Sequence, residues 1–300
     1  MKERLRNSLV PVRWLSRRYR KKYHLLIETS SFRDRRTFQL VENPETGVKK
    51  FTPSLVGDAD FYESLSKFEW YYQTDKAEYH TAARITRGQA ICEIGCGAGS
   101  FFAISGAKSY VGLELNDGAA TEAKKNGLDV RLQGVSEHVQ DVGPESYDVV
   151  CGFQVLEHVD DPESFLHHAM KLTRQGGWLI FSVPSDDSFV GLVPNNALNM
   201  PPHHQTRWTD MGLENIGKKA ELQTIAIIHE NLDPIHARWA IRSVVERVLF
   251  GSEKRVFDRY RSVKLALATV LSTFFPHSRQ VAPIVLKGHT VTAIYRKPFI

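Results

Sequence analysis

The chain has 300 residues, 42% hydrophobic and 24% charged, enough to bury a large core as one elaborated domain or as two. No apolar run approaches the roughly 18–20 residues of a membrane-crossing helix. Three cysteines (Cys92, Cys96, Cys151) are too few for a disulfide framework or a metal cluster, and they suit a reducing compartment. The net charge of +5 is uneven: residues 1–22 hold nine Lys/Arg against Glu3, a charge of +8, which leaves −3 for the remaining 278 residues and excludes a basic nucleic-acid-binding core.

In chain order, residues 1–22 form a basic arm. It is either a solvated extension or a dock for anionic lipid or an acidic partner, with Val10, Val12, Trp14 and Leu15 as apolar contacts. The arm has no apolar secretory core, so the expected location is cytoplasmic, with peripheral membrane contact through the arm as an option. Residues 23–87 read as a lead-in: strand-like "YHLLIE" and "TFQLVE", the turn "ENPETGVKK", then a helical stretch over 59–87. That stretch either packs on the core or covers a site with Trp70, Tyr71 and Tyr72.

From residue 88 strands and helices alternate. "AICEI" reads as a buried strand, followed by a glycine loop and a helix over about 98–106. "SYVGLEL", "DVRLQ", "YDVVCGFQVL" and "WLIFSVP" read as further strands, with helices at "DGAATEAKKNG" and "DPESFLHHAMKLTRQGG" between them. An irregular stretch to about 208 leads to the helix "TDMGLENIGKKAE" and the strand "LQTIAIIHE". A helical insertion over about 235–286 precedes a closing alternating strand, "HTVTAIYRK". This order specifies an α/β fold: a doubly wound sheet of seven strands, mostly parallel, covered on both faces.

The loop "EIGCGAG" carries the chemistry. A strand that ends in G-x-G-x-G makes an αL-tolerant turn at the carboxyl edge of the sheet, where ligands of open α/β folds bind. Tight packing alone also selects glycine, but Glu114 closes the next strand 19 residues after Gly95, near the offset at which an acid reaches ribose hydroxyls. Dinucleotide sites use G-x-G-x-x-G. Here the spacing is shorter, and Glu93 precedes the first glycine by two, where it would repel a pyrophosphate but suit a cationic ligand such as S-adenosylmethionine.

"EIGCGAG", "GLELN", "SYDVVCGFQVLEHVDDPESFL" and "RQGGWLIFSVP" together resemble the successive motifs of class I S-adenosylmethionine-dependent methyltransferases over residues 88–187. The resemblance implies a Rossmann-like sheet whose last strand is antiparallel beside the sixth. It also implies that Glu93, Gly95, Cys96, Gly97 and Gly99 line the methionine end, that Glu114 binds the ribose, and that Leu115 and Asn116 lie beside the adenosine. Gly134, Val135 and Ser136 would meet the adenine edge, though the acid often found near there is absent. Gln154 and Val155 would lie under the sulfonium, and His158 in contact with the cofactor or in a structural bond. Apart from the resemblance, Tyr71 and Tyr72 either close the cofactor pocket or pack on the core. "SLVGDADFY", "WYYQTDKAEY" and "MPPHHQTRWT" resemble a subgroup associated with sugars, glycans and secondary metabolites. The expected function is methyl transfer to a small-molecule or glycan acceptor at a hydroxyl oxygen, with His203 or His204 as general base. These two histidines could equally hold the loop, and Arg207 could hold an anionic acceptor or a surface ion pair. No metal site is expected, since Glu157 and His158 alone do not make one. The competing readings are a non-catalytic cofactor-binding scaffold and an NAD-dependent oxidoreductase.

Overall fold

A computed structural model describes residues 8–27, 36–68, 71, 73–251, 256–272 and 286–299. Strand β1 (Leu9–Pro11) runs into the helix Val12–Tyr23, which buries Val12, Leu15, Tyr19 and Tyr23 at its three-to-four-residue spacing. Its Arg and Lys side chains occupy the outer face, so the described part of the basic arm is folded into the lead-in rather than extended. Antiparallel β1, β2 (Thr37–Glu42) and β3 (Lys49–Thr52) form a small sheet. "YHLLIE" gives no strand: Tyr23 ends the helix, and the described residues after it have no regular structure. The stretch over 59–87 is two helices, Ala59–Ser66 and Ala77–Thr86, with Asp58 capping the first through the Phe61 amide at 2.9 Å. Trp70 and Tyr72 lie outside the described residues.

The large sheet contains β4 (Ala90–Ile94), β5 (Ser109–Leu113), β6 (Val130–Arg131), β7 (Tyr147–Phe153), β8 (Thr173–Pro184), β10 (Gln223–Asn231) and β11 (Lys287–Arg296). Its order is β10-β11-β8-β7-β4-β5-β6, with only β11 antiparallel to its neighbours. Central β7 is buried on both faces and alternates between two cores. Val150 packs with Cys92, Ile94, Leu166 and Phe181, whereas Val149, Cys151 and Phe153 pack with Ile91, Phe101 and Tyr79. Between them, Gly152 lets Phe181 close in: a Cβ there would stand 3.1 Å from its ring. The helix Pro162–Leu172 begins with Asp161 as cap and Pro162 at its first position. It ends where Thr173 enters β8, five residues before "WLIFSVP".

After β8 the chain crosses back to the lead-in. Two-residue β9 (Thr206–Arg207) pairs with β3 and joins the small sheet. This crossing positions residues 198–207 over the carboxyl edge of the large sheet. The helices Pro234–Phe250 and Arg261–Ser272 occupy the insertion. Along the described part of the second, only Ala268 is fully buried while Val263, Leu267 and Val270 are exposed. Among the described residues no helix is long and apolar enough to cross a membrane.

Candidate active site

All three glycines after β4 adopt positive φ: 70° at Gly95, 55° at Gly97 and 84° at Gly99. Two are also demanded by packing. A Cβ on Gly95 would lie 2.4 Å from Val155 Cγ2, and one on Gly99 would lie 2.2 Å from Leu128 Cδ2. At Gly95 the stiff, β-branched Val155 excludes a side chain, whereas at Gly99 the Leu128 methyl ends a flexible side chain and the positive φ is the stronger demand for glycine. The helix that follows is a single turn, Phe102–Ser105, shorter than the spacing predicts. Cys96 differs from expectation too. Its side chain turns into the core against Gly112, where a Cβ would meet its Sγ at 2.5 Å, so only its backbone faces the turn.

The turn is wired to the end of β5. Gly95 and Cys96 donate their amides to Leu113 O at 2.7 and 3.1 Å. Glu114 Oε2 accepts the Gly97 amide at 2.8 Å, while Oε1 accepts those of Leu115 and Asn116, each at 2.8 Å. A carboxylate offers about four lone pairs, so Glu114 retains one on Oε2 for a further donor. Leu115 is 74% exposed beside it. Asn116 Oδ1 caps the helix Asp117–Lys125 through the Ala119 amide at 2.9 Å. Gly134 caps the helix Val135–Val142 with its amide on Glu137 Oε2 at 3.0 Å; Val135 is core and Ser136 is exposed. Glu93 is buried and accepts a hydrogen bond from the Tyr110 hydroxyl. Burial pushes its carboxyl up to about 8, against the pull of Tyr110 and Lys76.

At the end of β7, Gln154 holds φ at 58°, a conformation that costs a non-glycine residue free energy and clusters at functional sites. Its amide donates to Ser182 O at 2.9 Å, and its side chain reaches the buried Glu78 at 3.3 Å. Val155 then packs on Gly95, and a 3-10 turn, Leu156–His158, redirects the chain. Glu157 is 1% exposed with neither carboxylate oxygen hydrogen-bonded, and burial pushes it up to about 8.

His158 meets His203 and His204 there. Ring centroids lie 4.7 Å (158–203), 5.0 Å (158–204) and 4.4 Å (203–204) apart, the last pair stacked at 19°. The placement is over-determined. Gln205 donates its amide to Glu157 O at 2.8 Å and its side chain to Leu55 O at 2.6 Å, pinning the loop between β7 and the lead-in. Each histidine Nδ1 has an acceptor: His203 O at 2.5 Å for His158, Leu198 O at 2.9 Å for His203, and Asn199 Oδ1 at 3.0 Å for His204. Carbonyl oxygens only accept, so these bonds place the protons on Nδ1 and the lone pairs on Nε2. His203 and His204 are each 7% exposed, and His203 Nε2 is buried with no partner. Burial holds both rings well below the usual imidazole range and brings His158 to about 4, so all three are neutral. Tyr62 and Tyr71 roof His203 at ring distances of 6.2 and 5.9 Å. Arg207 is buried, not a surface group, and is spent on Asn199 O at 2.8 and 3.2 Å with Asp186 at 4.0 Å.

Sequence reading named His203 and His204 as a pair and His158 apart from them, and missed the convergence of all three, the unpartnered state of Glu157, buried Glu78 and the Tyr62 roof. The only linear signal was the pairing of "LEH" with "PPHH", separated by 45 residues from His158 to His203.

An open, mostly parallel sheet with a glycine turn after its central strand, an acid closing the next strand and a buried polar cluster at the same edge is the architecture of a nucleotide-cofactor enzyme. The comparisons narrow this. Residues 70–227 match the family model described as "Methyltransferase domain". Over 102 residues the chain is 33% identical to a ubiquinone biosynthesis O-methyltransferase of Hydrogenovibrio crunogenus, covering 31% of this chain and 42% of that one. A protein of the same name from Nitrosospira multiformis is 30% identical over 165 residues, covering 49% and 68%. A crystal structure of a SAM-dependent methyltransferase from Archaeoglobus fulgidus shares the fold, with a TM-score of 0.53, 13% identity, and 79% and 100% of the two chains covered. The chain spans less than half the length of the first of these relatives. It belongs to the class I S-adenosylmethionine-dependent methyltransferases.

Proposed function

We propose that this chain transfers a methyl group from S-adenosylmethionine to a hydroxyl oxygen of a small molecule or glycan, the proton being taken up at the histidine cluster. The cofactor supplies an electrophilic methyl carbon on a sulfonium. The residues present fit it. Gly95 and Gly97 offer backbone without side chains, and the buried acids Glu93 and Glu157, both raised to about 8 by burial, give up their protons when a cationic group settles beside them. Glu114 holds a spare lone pair for a ribose hydroxyl. A second ribose bond displaces the Gly97 amide from Oε2, so ribose and turn compete for the same oxygen. Exposed Leu115 gives an apolar surface for adenine, and Gln154 and Val155 border the methionine end.

One observation carries the acceptor side: a buried, unpartnered, neutral His203 Nε2 at the same sheet edge as the glycine turn. A neutral imidazole with its Nδ1 proton held by Leu198 O can accept a proton at Nε2 from a hydroxyl brought within hydrogen-bond reach. His204 is held in the same tautomer by Asn199 and stacks against His203. Tyr62 and Tyr71 offer flat apolar surface, which suits a planar hydroxylated acceptor. The names of the O-methyltransferase relatives favour oxygen over nitrogen. The test is methyl transfer from labelled S-adenosylmethionine to a panel of phenols, diols and sugars. His203→Asn keeps a donor near Leu198 and removes Nε2, and should lower kcat by about 10²–10⁴ with little change in cofactor affinity. Undiminished kcat in that variant would remove His203 from the reaction.

A further inference from the structure

We infer that His158, His203 and His204, with Glu157 as the nearest fourth ligand, form a binding site for one divalent transition-metal ion of the zinc class. One ring nitrogen from each histidine lies within 4.8 Å of the other two. Tetrahedral zinc with bonds of about 2.0–2.1 Å places ligand nitrogens about 3.3 Å apart, so the cluster has to draw in, and the stacked His203 and His204 rings have to turn, for their in-plane lone pairs to meet on one ion. The polarity of the rings is already that of ligands. Every Nδ1 is anchored on an oxygen acceptor, which fixes the tautomer and leaves Nε2 to bind; outer hydrogen bonds of this kind accompany metal-bound histidines generally.

Independent observations point inward. His203 Nε2 is buried without a partner, and Glu157 is buried with both oxygens unpartnered, Oε1 standing 3.9 Å from His158 Nε2. Leaving a buried polar atom unsatisfied is destabilising, and more so for a charged group. One cation would satisfy the His203 nitrogen and the Glu157 carboxylate together. Imidazole donors with a single carboxylate select zinc, copper, nickel or iron over magnesium and calcium. Buried Arg207 stands near His204 and opposes a cation, but its own charge is answered by Asp186 and the Asn199 carbonyl. An ion here would clip the 198–204 loop to the end of β7 beneath Tyr62. Loaded, the histidines are ligands, so the base role proposed above belongs to the metal-free protein.

The experiment is a titration of chelator-treated full-length protein with Zn²⁺ against a chromophoric chelator. A parallel titration with Co²⁺ is followed by visible absorption, and S-adenosylhomocysteine binding is measured by calorimetry on the same samples. The expected result is one zinc per chain, an intense tetrahedral cobalt band, and affinity lower by roughly a hundredfold in His203→Asn and His204→Asn. Less than one zinc per wild-type chain, a weak octahedral cobalt spectrum, or variants that bind zinc as wild type does would overturn the site. Intact S-adenosylhomocysteine binding without zinc binding refutes the metal site alone. Zinc binding without any cofactor binding refutes the cofactor reading alone.

Discussion

Glu114→Ala separates cofactor recognition from loop architecture. The carboxylate accepts three backbone amides at 2.8 Å and has one lone pair left. Hydrogen bonds to a charged group contribute about 1.5–3 kcal/mol each, so losing one to two ribose contacts should cost about 3 kcal/mol, or about a hundredfold in Kd at 1.4 kcal/mol per decade. The freed Gly97, Leu115 and Asn116 amides sit at the sheet edge, where water can replace the carboxylate, so the fall in stability should be only about 1 kcal/mol, roughly 2–4 °C in Tm. Calorimetry with S-adenosylhomocysteine and with its 2′,3′-dideoxy analogue makes the distinction. Wild type should discriminate against the analogue, and the variant should bind both equally weakly. If the variant binds the natural ligand within a factor of about two of wild type, Glu114 is a loop anchor and the ribose assignment is wrong.

Gly95→Ala should destabilise the fold by about 2–3 kcal/mol, combining a non-glycine residue at φ 70° with a 2.4 Å clash on Val155. In urea unfolding, Gly95→Ala with Val155→Ala should relieve the clash but not the backbone cost; full recovery would contradict the φ argument. Glu93, raised to about 8 when folded against 4.5 otherwise, contributes stability that is complete below about pH 4.5 and lost as pH rises through 8. The thermal midpoint should therefore fall between pH 5 and 9 in the free protein, and Glu93→Gln should flatten that slope, with Glu157 supplying a remaining slope of the same sign. An unchanged pH profile in Glu93→Gln would show that the carboxyl ionises freely. Cofactor binding should release protons near pH 7, because a cationic ligand favours the carboxylate; calorimetry in buffers of different ionisation enthalpy measures this.

Where physics is local, the sequence was readable. Apolar runs with glycine stops placed β4, β5, β7, β8 and β10, Asp161 and Pro162 marked a helix start, and the closing alternation placed β11, whose antiparallel direction came from the family resemblance alone. The misreadings share a cause in tertiary contact. The described arm folds because Leu15, Tyr19 and Tyr23 find Phe61 and Leu65, partners more than 35 residues away. The short β9 exists only through β3. Within the site, Glu93, the glycines and Glu114 were visible because one strand–turn–strand unit contains them. Cys96 and Asn116 carried the right types at the right spacing, yet their side chains serve the core and a helix cap. The histidine cluster joins the end of β7 to a loop held by the lead-in, and no local spacing encodes that meeting.

The central claim is that the cofactor lies across the glycine turn, with its ribose on Glu114 and its methyl end toward the histidines. A crystal structure with S-adenosylhomocysteine tests it most directly. The account predicts ribose hydroxyls on Glu114 Oε2, the Gly97 amide displaced from that oxygen, and the ligand sulfur beside Gln154 and Val155 on the side facing His203. A ligand bound elsewhere, or Glu114 still held by all three amides with the ribose on other groups, would contradict it.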